Sequence, residues 1–280
     1  MIWQTLKETL REINQEKLIT VAASVSFYVL LSLVPALSTT ITVYRLIYDP
    51  ATIFSQLSGV LSFAPTAVSD LILEQATRLT MQTPNQKWLT FTIGFLISAW
   101  SANAGIKAIF SALNEVHDLT ETRGFFRLTL ISLATTATAL VLFVLALTSI
   151  ALLPAMLAFV PFARQVNVLL LMLHWPVFLV VATLAIAALY RIGPSWEPPT
   201  LSSLLPGAFV AALMWVLISA GFSWYTSTLA NYSATYGSLA TVVVFMTWLW
   251  FSTLSVLAGA AFNVAVSVVR GEPKPVELPA

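Results

Sequence analysis

Cysteine is absent from this sequence of 280 residues, and histidine occurs only at His117 and His174. That excludes disulfides, thiolate metal sites and a thiol nucleophile, and it leaves the redox compartment undetermined. Charge is almost as scarce: Asp, Glu, Lys and Arg make up 9% of residues, against roughly a quarter in a soluble domain. Too few charges are present to solvate the surface of a water-borne fold of this length. A formal net charge of +1 also argues against a nucleic-acid partner, because binding phosphates needs clustered Lys and Arg. The ten glycines form neither Gly-x-x-x-x-Gly-Lys nor Gly-x-Gly-x-x-Gly, the two loops that cradle nucleotide phosphates. No cofactor or metal is expected.

What fills the chain is hydrocarbon. Hydrophobic residues reach 58% and mean hydropathy is +0.87. Charges fall in short clusters between apolar spans long enough to cross a bilayer, which takes about 20 helical residues. Six spans are legible: 18–48, 88–113, 128–160, 166–190, 204–230 and 237–269. The predicted fold is therefore all-α, a single polytopic membrane domain over residues 1–280 whose lipid-bilayer partner is its solvent. Pro35, Pro154 and Pro176 lie in or near such spans, and each removes a backbone donor where water cannot replace it, so kinks are expected. The first span is too long for a signal-peptide core and follows a charged segment of about seventeen residues, which argues against a cleaved leader.

Orientation follows from the cations. With the N-terminus inside, Lys7, Arg11, Lys17, Arg123, Arg127, Arg191, Arg270 and Lys274 fall on the cytoplasmic side, and Arg45, Arg78, Lys87 and Arg164 on the outer side. The excess of eight over four predicts both termini in the cytoplasm.

Two amphipathic stretches flank this pattern. Before the first span, Trp3, Leu6, Leu10 and Ile13 share a stripe that predicts an interfacial helix. In the outer segment 50–87, Val68, Leu71, Ile72, Gln75, Ala76 and Leu79 recur at helical spacing opposite Asp70, Glu74 and Arg78. This predicts a helix lying on the membrane surface or packed across the mouth of the bundle. A solvated face is the commoner meaning of such a charge row; a ligand-contacting lid is the sharper one.

Four stretches are more particular than hydropathy. They are "AASVSFYVLLSLVP" from Ala22, "WSANAGIKAIFSALNEVHDLTETRGFFR" from Trp100, "LLPGAFVAALMWVLISAGFSWY" from Leu204 and "NYSATYGSLATVVVFMTWLWFSTLSVLAGAAFN" from Asn231. Together, in this order, they resemble the BrkB-like, or YihY, family of bacterial inner-membrane proteins. The resemblance implies a six-helix bundle in the inner membrane, an old ribonuclease label, a link to virulence and serum resistance, and suggestions of transport, including of lipid-like molecules. One departure stands out. The family's last helix commonly reads Gly-Ala-Glu-x-Asn, whereas here Gly259, Ala260, Ala261, Phe262 and Asn263 leave Ala261 in the place of the carboxylate. No mechanism is built on that carboxylate here.

Phosphodiester cleavage needs converging acid and base groups or a metal-binding cluster. His174 lies in an apolar span, next to Trp175, where packing is its ordinary role. His117 joins Glu115 and Asp118 in a loop near Arg123; that trio matches a metal site, but a solvated loop is its commoner meaning. An enzyme is not expected.

Polarity inside lipid must find an internal partner and is often functional. Asn103, Lys107, Ser111 and Asn114 recur at three- and four-residue steps on one side of the second span. Lys107 either snorkels to the interface or presents its ammonium to an anionic head group or to Glu115. The uncharged turn from Asn231, with Tyr232, Tyr236 and Gly237, is either an interfacial cap or a dip that lines a polar cavity. Asn103, Lys107, Asn114, Asn231, Tyr232, Tyr236 and Gly237 are thus the candidate cavity or substrate residues. Rows of small residues, Ala104, Ala108 and Ala112 and also Ser219, Ser223 and Ser227, read as helix seams. Such faces admit a homo-oligomer. Trp215, Trp224, Trp248 and Trp250 divide between belt and core. Pro206 and Gly207 mark a helix start, with Ser202 or Ser203 as N-cap.

Three functions fit this reading. Favoured is a transporter or exporter of an amphiphilic, lipid-related or anionic solute, working by rearrangement of kinked helices around a polar cavity. A membrane scaffold or envelope assembly factor without transport is the alternative. A membrane-embedded enzyme, for which catalytic groups are scarce, comes last.

Overall fold

The computed structural model describes residues 18–44, 88–139, 163–196, 199–228 and 240–271, with isolated positions at 9, 141 and between 54 and 77. The fold is all-helical. The apolar spans become α1 (Leu18–Tyr44), α2 (Trp88–Val116), α4 (Ala163–Ile192), α5 (Leu201–Thr228) and α6 (Ala240–Arg270). Between α2 and α4 lies α3, described over Phe125–Ala139. The five long helices have 27 to 31 residues, which at a rise of 1.5 Å gives about 40–46 Å, enough to cross a bilayer with tilt or projecting ends. Leu201–Thr226 and Val242–Arg270 are long and apolar enough to cross a membrane over their described residues alone.

Side-chain placement is inverted relative to a water-soluble protein. Trp100, Leu217 and Leu130 are 64%, 63% and 70% exposed, whereas Ser26, Ser101, Ser132 and Ser255 are buried. Large apolar residues turned outward and small polar ones turned inward fit a hydrocarbon solvent.

Successive helices alternate in direction. The beginnings of α1 and α5 and the ends of α2, α4 and α6 share one core, through Leu18 and Ala22, Leu113 and Val116, Ala187 and Tyr190, Leu204 and Ala208, and Leu257 and Ala261. That end also carries Arg123, Arg127, Arg191 and Arg270. Along the bundle α1 packs on α2, α5 on α6, α4 on α5, and α6 on α1.

The helix ends have local causes. At the end of α2, Leu119 N–H donates to Asn114 O at 2.9 Å and Asp118 N–H to Glu115 O at 3.1 Å, the paired bonds of a Schellman stop. Asp118 holds the left-handed position at φ 54°, which a short polar side chain tolerates better than most. The start of α5 differs from the sequence expectation. Thr200, not Ser202 or Ser203, is the cap: its carbonyl accepts from both Ser203 N–H at 3.1 Å and Ser203 Oγ–H at 2.7 Å. Pro206 therefore sits one turn inside a continuous helix, as Pro176 sits inside α4.

At the opposite end, described positions of the 50–87 segment are helical and pack on the bundle. Leu57, Leu61 and Ala76 bury together, and Ile72 packs against Phe245, as Leu30 and Trp248 also do. Asp70 and Glu74 remain exposed. Of the two expectations for this segment, these contacts fit packing across the mouth. The N-terminal interfacial stripe, Pro154, His174, and the turn with Asn231, Tyr232, Tyr236 and Gly237 lie outside the described residues or side chains.

Candidate functional site

Among the described residues, buried hydroxyls such as Ser26, Thr136, Thr183 and Ser255 bond carbonyls of their own helix, whereas other buried polar groups fasten one element to another, and separating both kinds from the rest defines the site. The first fastening joins the α2–α3 loop to the α4–α5 loop. Arg123 grips Glu121 through Nε–H to Oε1 and Nη2–H to Oε2, both 2.7 Å. The same guanidinium donates to Ile192 O at 3.1 Å and Gly193 O at 2.6 Å, supplying a cation to the carbonyl end of α4. Asn114 is consumed here. Its Oδ1 accepts from Ser195 N–H at 2.6 Å and its Nδ2 donates to Glu121 Oε2 at 3.0 Å. Burial by itself raises the Glu121 carboxyl, but hydrogen bonds from Arg123, its charge and the Asn114 amide outweigh that and hold it below its ordinary value.

His117 belongs to this fastening, which corrects the solvated-loop expectation. It is 7% exposed, its Nδ1 lies 2.7 Å from Leu113 O, and its ring meets Trp196 edge-on at 4.4 Å. Burial pushes its pKa down from 6.5 to about 4, against the opposing pull of the Leu113 hydrogen bond and of Asp118. Among the described residues, no group of three His, Asp or Glu side chains is placed to hold a metal ion.

The second fastening is the α5–α6 crossing. Asn263 accepts from Gly207 N–H at 2.7 Å and donates to Leu204 O at 3.0 Å. An added Cβ at Gly207 would stand 2.1 Å from Gly259 O, and one at Gly259 2.4 Å from Gly207 O. Both glycines therefore serve close approach. Tyr190 donates its hydroxyl to Val256 O beside them. Ala261, in the place of the resemblance's carboxylate, is fully buried in the shared core.

Among the described residues, three polar groups remain without such use: Ser101 Oγ, Asn103 Oδ1 and Trp196 Nε1 are buried without a partner. Ser101 and Asn103 lie within α2. Asn103 is 8% exposed, and one turn later Lys107 carries the cation of this helix. The lysine stem runs toward the end where α3 begins, as a snorkelling side chain does. Its ammonium donates to Thr129 Oγ1 at 2.8 Å and lies 5.1 Å from the centre of the Phe125 ring, within cation–π range. Of the candidate residues, Asn103 and Lys107 thus share one side of α2, the Asn103 oxygen unpartnered and the Lys107 ammonium held at Thr129, while Asn114 ties two loops.

A separate cavity of about 320 Å³ lies between α2, α4, α5 and α6, with Ile109, Phe178, Ala212 and Leu249 among its walls and Trp215, Ser252 and Thr253 as its few polar ones. Sequence reading missed Thr129, Ser195 and Trp196 as partners. The Gly-Pro-Ser-Trp turn at 193–196 was the available signal, since a tryptophan in a turn usually has something to pack against.

The chain is 32% identical to ribonuclease-like protein YfkH of Bacillus subtilis (strain 168) over 256 residues, 86% of this chain and 87% of that one. It is 26% identical over 275 residues to UPF0761 membrane protein Mpe_A1422 of Methylibium petroleiphilum, covering 95% of this chain and 64% of the relative. A UPF0761 membrane protein of Alkalilimnicola ehrlichii is 36% identical over 88 residues, 31% of this chain and 20% of the relative. The chain therefore spans less than two thirds of the length of these two UPF0761 proteins. No solved structure matches it. Residues 9–279 match the family described as virulence factor BrkB, and with relatives named as membrane proteins and a lipid-facing exterior, this chain is an integral membrane protein that belongs to the BrkB family.

Proposed function

We propose that the protein is a transporter of an amphiphilic, anionic solute, working around the polar face of α2. One observation carries this reading. Among the described residues, the amides of Asn114 and Asn263 hold separate elements together, whereas Asn103 Oδ1 is left unpartnered on α2, four residues before Lys107. Each unused polar group inside hydrocarbon lowers stability, so such groups mark a solute path more often than a fastening. We read all six helices as spans and the end with Arg123, Arg127, Arg191 and Arg270 as cytoplasmic, in an inner membrane, on the excess of cations there.

The relative's ribonuclease-like name finds no support in His117, whose Nδ1 faces Leu113 O and whose ring packs on Trp196. We therefore read the chain as no nuclease.

Reconstitution tests the transport reading. Purified protein in vesicles should move a fluorescent anionic phospholipid between leaflets, or export an anionic amphiphile, at least tenfold faster than protein-free vesicles. Parent protein indistinguishable from empty vesicles with every anionic amphiphile tried would defeat it.

A further inference from the structure

We infer that Lys107 is a two-station arm for a phosphate-type oxyanion, with Thr129 as the station occupied in this structure and Asn103 as the vacant one deeper in the bundle. This deepens the transport reading and rests on it for the arm's purpose.

The occupied station is one turn inside α3, where the ammonium meets Thr129 Oγ1 and the Phe125 ring. The vacant station is Asn103 Oδ1, which lacks a donor. Asn103 precedes Lys107 by four residues, so their Cβ atoms stand on one side of α2, about 5–6 Å apart. Helical side chains also lean back toward the preceding turn, which for Lys107 is the turn of Asn103. The Asn103 oxygen is therefore within reach of the Lys107 ammonium, which can donate to it.

Among the described residues of α3, Ser132 and Thr136 do not take that role. Ser132 and Thr136 continue the face of Thr129 at three- and four-residue steps and are buried. Their hydroxyl protons are spent on α3 itself, Ser132 on Thr129 O at 3.0 Å and Thr136 on Ser132 O at 2.8 Å. The seam thus offers acceptors and one cation.

An ammonium has three donors. With one on Asn103, two remain to hold an oxyanion, and carrying the cation one turn deeper into hydrocarbon is favourable only with a counter-charge. A phosphate group supplies the charge and several acceptor oxygens. The exposed apolar flank of α3, with Phe126 and Leu130, offers a lipid tail a place outside the seam. A lipid head group and free phosphate share this chemistry, and the test separates them.

Protein in neutral detergent is titrated with short-chain phosphatidylglycerol, phosphatidylcholine of the same chain length, and inorganic phosphate, with binding read by thermal shift and native mass spectrometry. The parent should bind phosphatidylglycerol at least tenfold more tightly than phosphatidylcholine. Lys107→Met should abolish that preference, and Lys107→Arg should keep it. Protection by inorganic phosphate instead of phosphatidylglycerol would assign the arm to a free anion. Asn103→Leu should keep binding within about threefold, because the outer station is intact, yet slow vesicle flux at least tenfold. Without ligand, Asn103→Leu should melt at or above the parent temperature, since the lost oxygen had no partner.

Equal binding of both lipids by the parent, unchanged preference in Lys107→Met, parent-like flux in Asn103→Leu, or a lower ligand-free melting temperature in Asn103→Leu would each overturn the inference. If the parent moves no solute but binding behaves as stated, the transport reading alone fails and Lys107 stands as an anion anchor.

Discussion

Trp215 and Trp248 face each other across α5 and α6 with ring centres 6.1 Å apart, and each donates its indole N–H to a serine on the other's helix. Trp215 reaches Ser252 Oγ at 3.0 Å and Trp248 reaches Ser219 Oγ at 3.1 Å. The serine that reads in sequence as one member of a small-residue seam is thus also an acceptor. Both tryptophans are half-buried in the bundle and satisfy the one polar atom their ring carries, which hydrocarbon would leave unpaired.

This exchange predicts measurable coupling. In a double-mutant cycle with Ser219→Ala and Trp248→Phe, the pair should show an interaction of about 0.6 kcal/mol, with about 1.7 as the upper end for hydrogen bonds between membrane helices. The single Ser219→Ala change should cost more than its lost atom suggests, because it strands the half-buried indole donor of Trp248 in a bundle without water. Unfolding in mixed micelles measures both, and strict additivity would show that the indole finds another partner.

His117 predicts a pH response. Its native pKa of about 4 lies below the ordinary 6.5, so the unfolded chain takes up the proton first as pH falls. Stability from this group is complete above pH 6.5 and lost progressively down to about pH 4. Glu121, also depressed, adds a loss at more acid pH, below the ordinary carboxylate range. Melting temperature followed from pH 7.5 to 4.5 should fall for the parent and fall less for His117→Phe, which keeps a ring against Trp196. Equal slopes would disprove the assignment.

Steric contact at the α5–α6 crossing predicts that Gly207→Ala and Gly259→Ala each destabilise by about 1–3 kcal/mol, the usual cost of overpacking, or more, since each new methyl meets backbone rather than a movable side chain. Gly221 and Gly124 have nothing within 4 Å of an added Cβ. Alanine at Gly221, inside α5, should be neutral or stabilising. Thermal melts of the purified variants give the comparison.

The loop fastening predicts that Arg123→Ala costs about 3 kcal/mol, the low end for a broken buried pair, because the Glu121 side chain is 29% exposed while that of Arg123 is 2%. Arg123→Lys should recover little, as one ammonium cannot replace the bidentate grip and two carbonyl contacts. Limited proteolysis between Asp118 and Gly124 should accelerate in both. Unchanged cleavage would place the stability of this loop elsewhere.

Much of the architecture was legible in the chain because a bilayer imposes a simple rule: long apolar stretches must be helices that satisfy their own backbone. The five long helices therefore fall within a few residues of the expected spans, and misplaced ends such as the start of α5 depend on which hydroxyl or carbonyl wins the cap. The polar side of α2 was equally visible, since Asn103, Lys107 and Asn114 are rare residues at helical spacing. What each one does was not, because Asn114 differs from Asn103 only in having Ser195 and Glu121 beside it.

Sequence by itself determined the solvent, the helices and the scarcity of catalytic groups, since all three follow from composition and period. Tertiary structure alone decided which polar atoms are spent. It buried His117 against Trp196, joined Arg123 to the end of α4, set Gly207 on Gly259, and left the Asn103 oxygen without a donor. The reason is physical: a hydrogen bond depends on two groups arriving within about 3 Å, and for residues far apart along the chain only the packed bundle sets that distance.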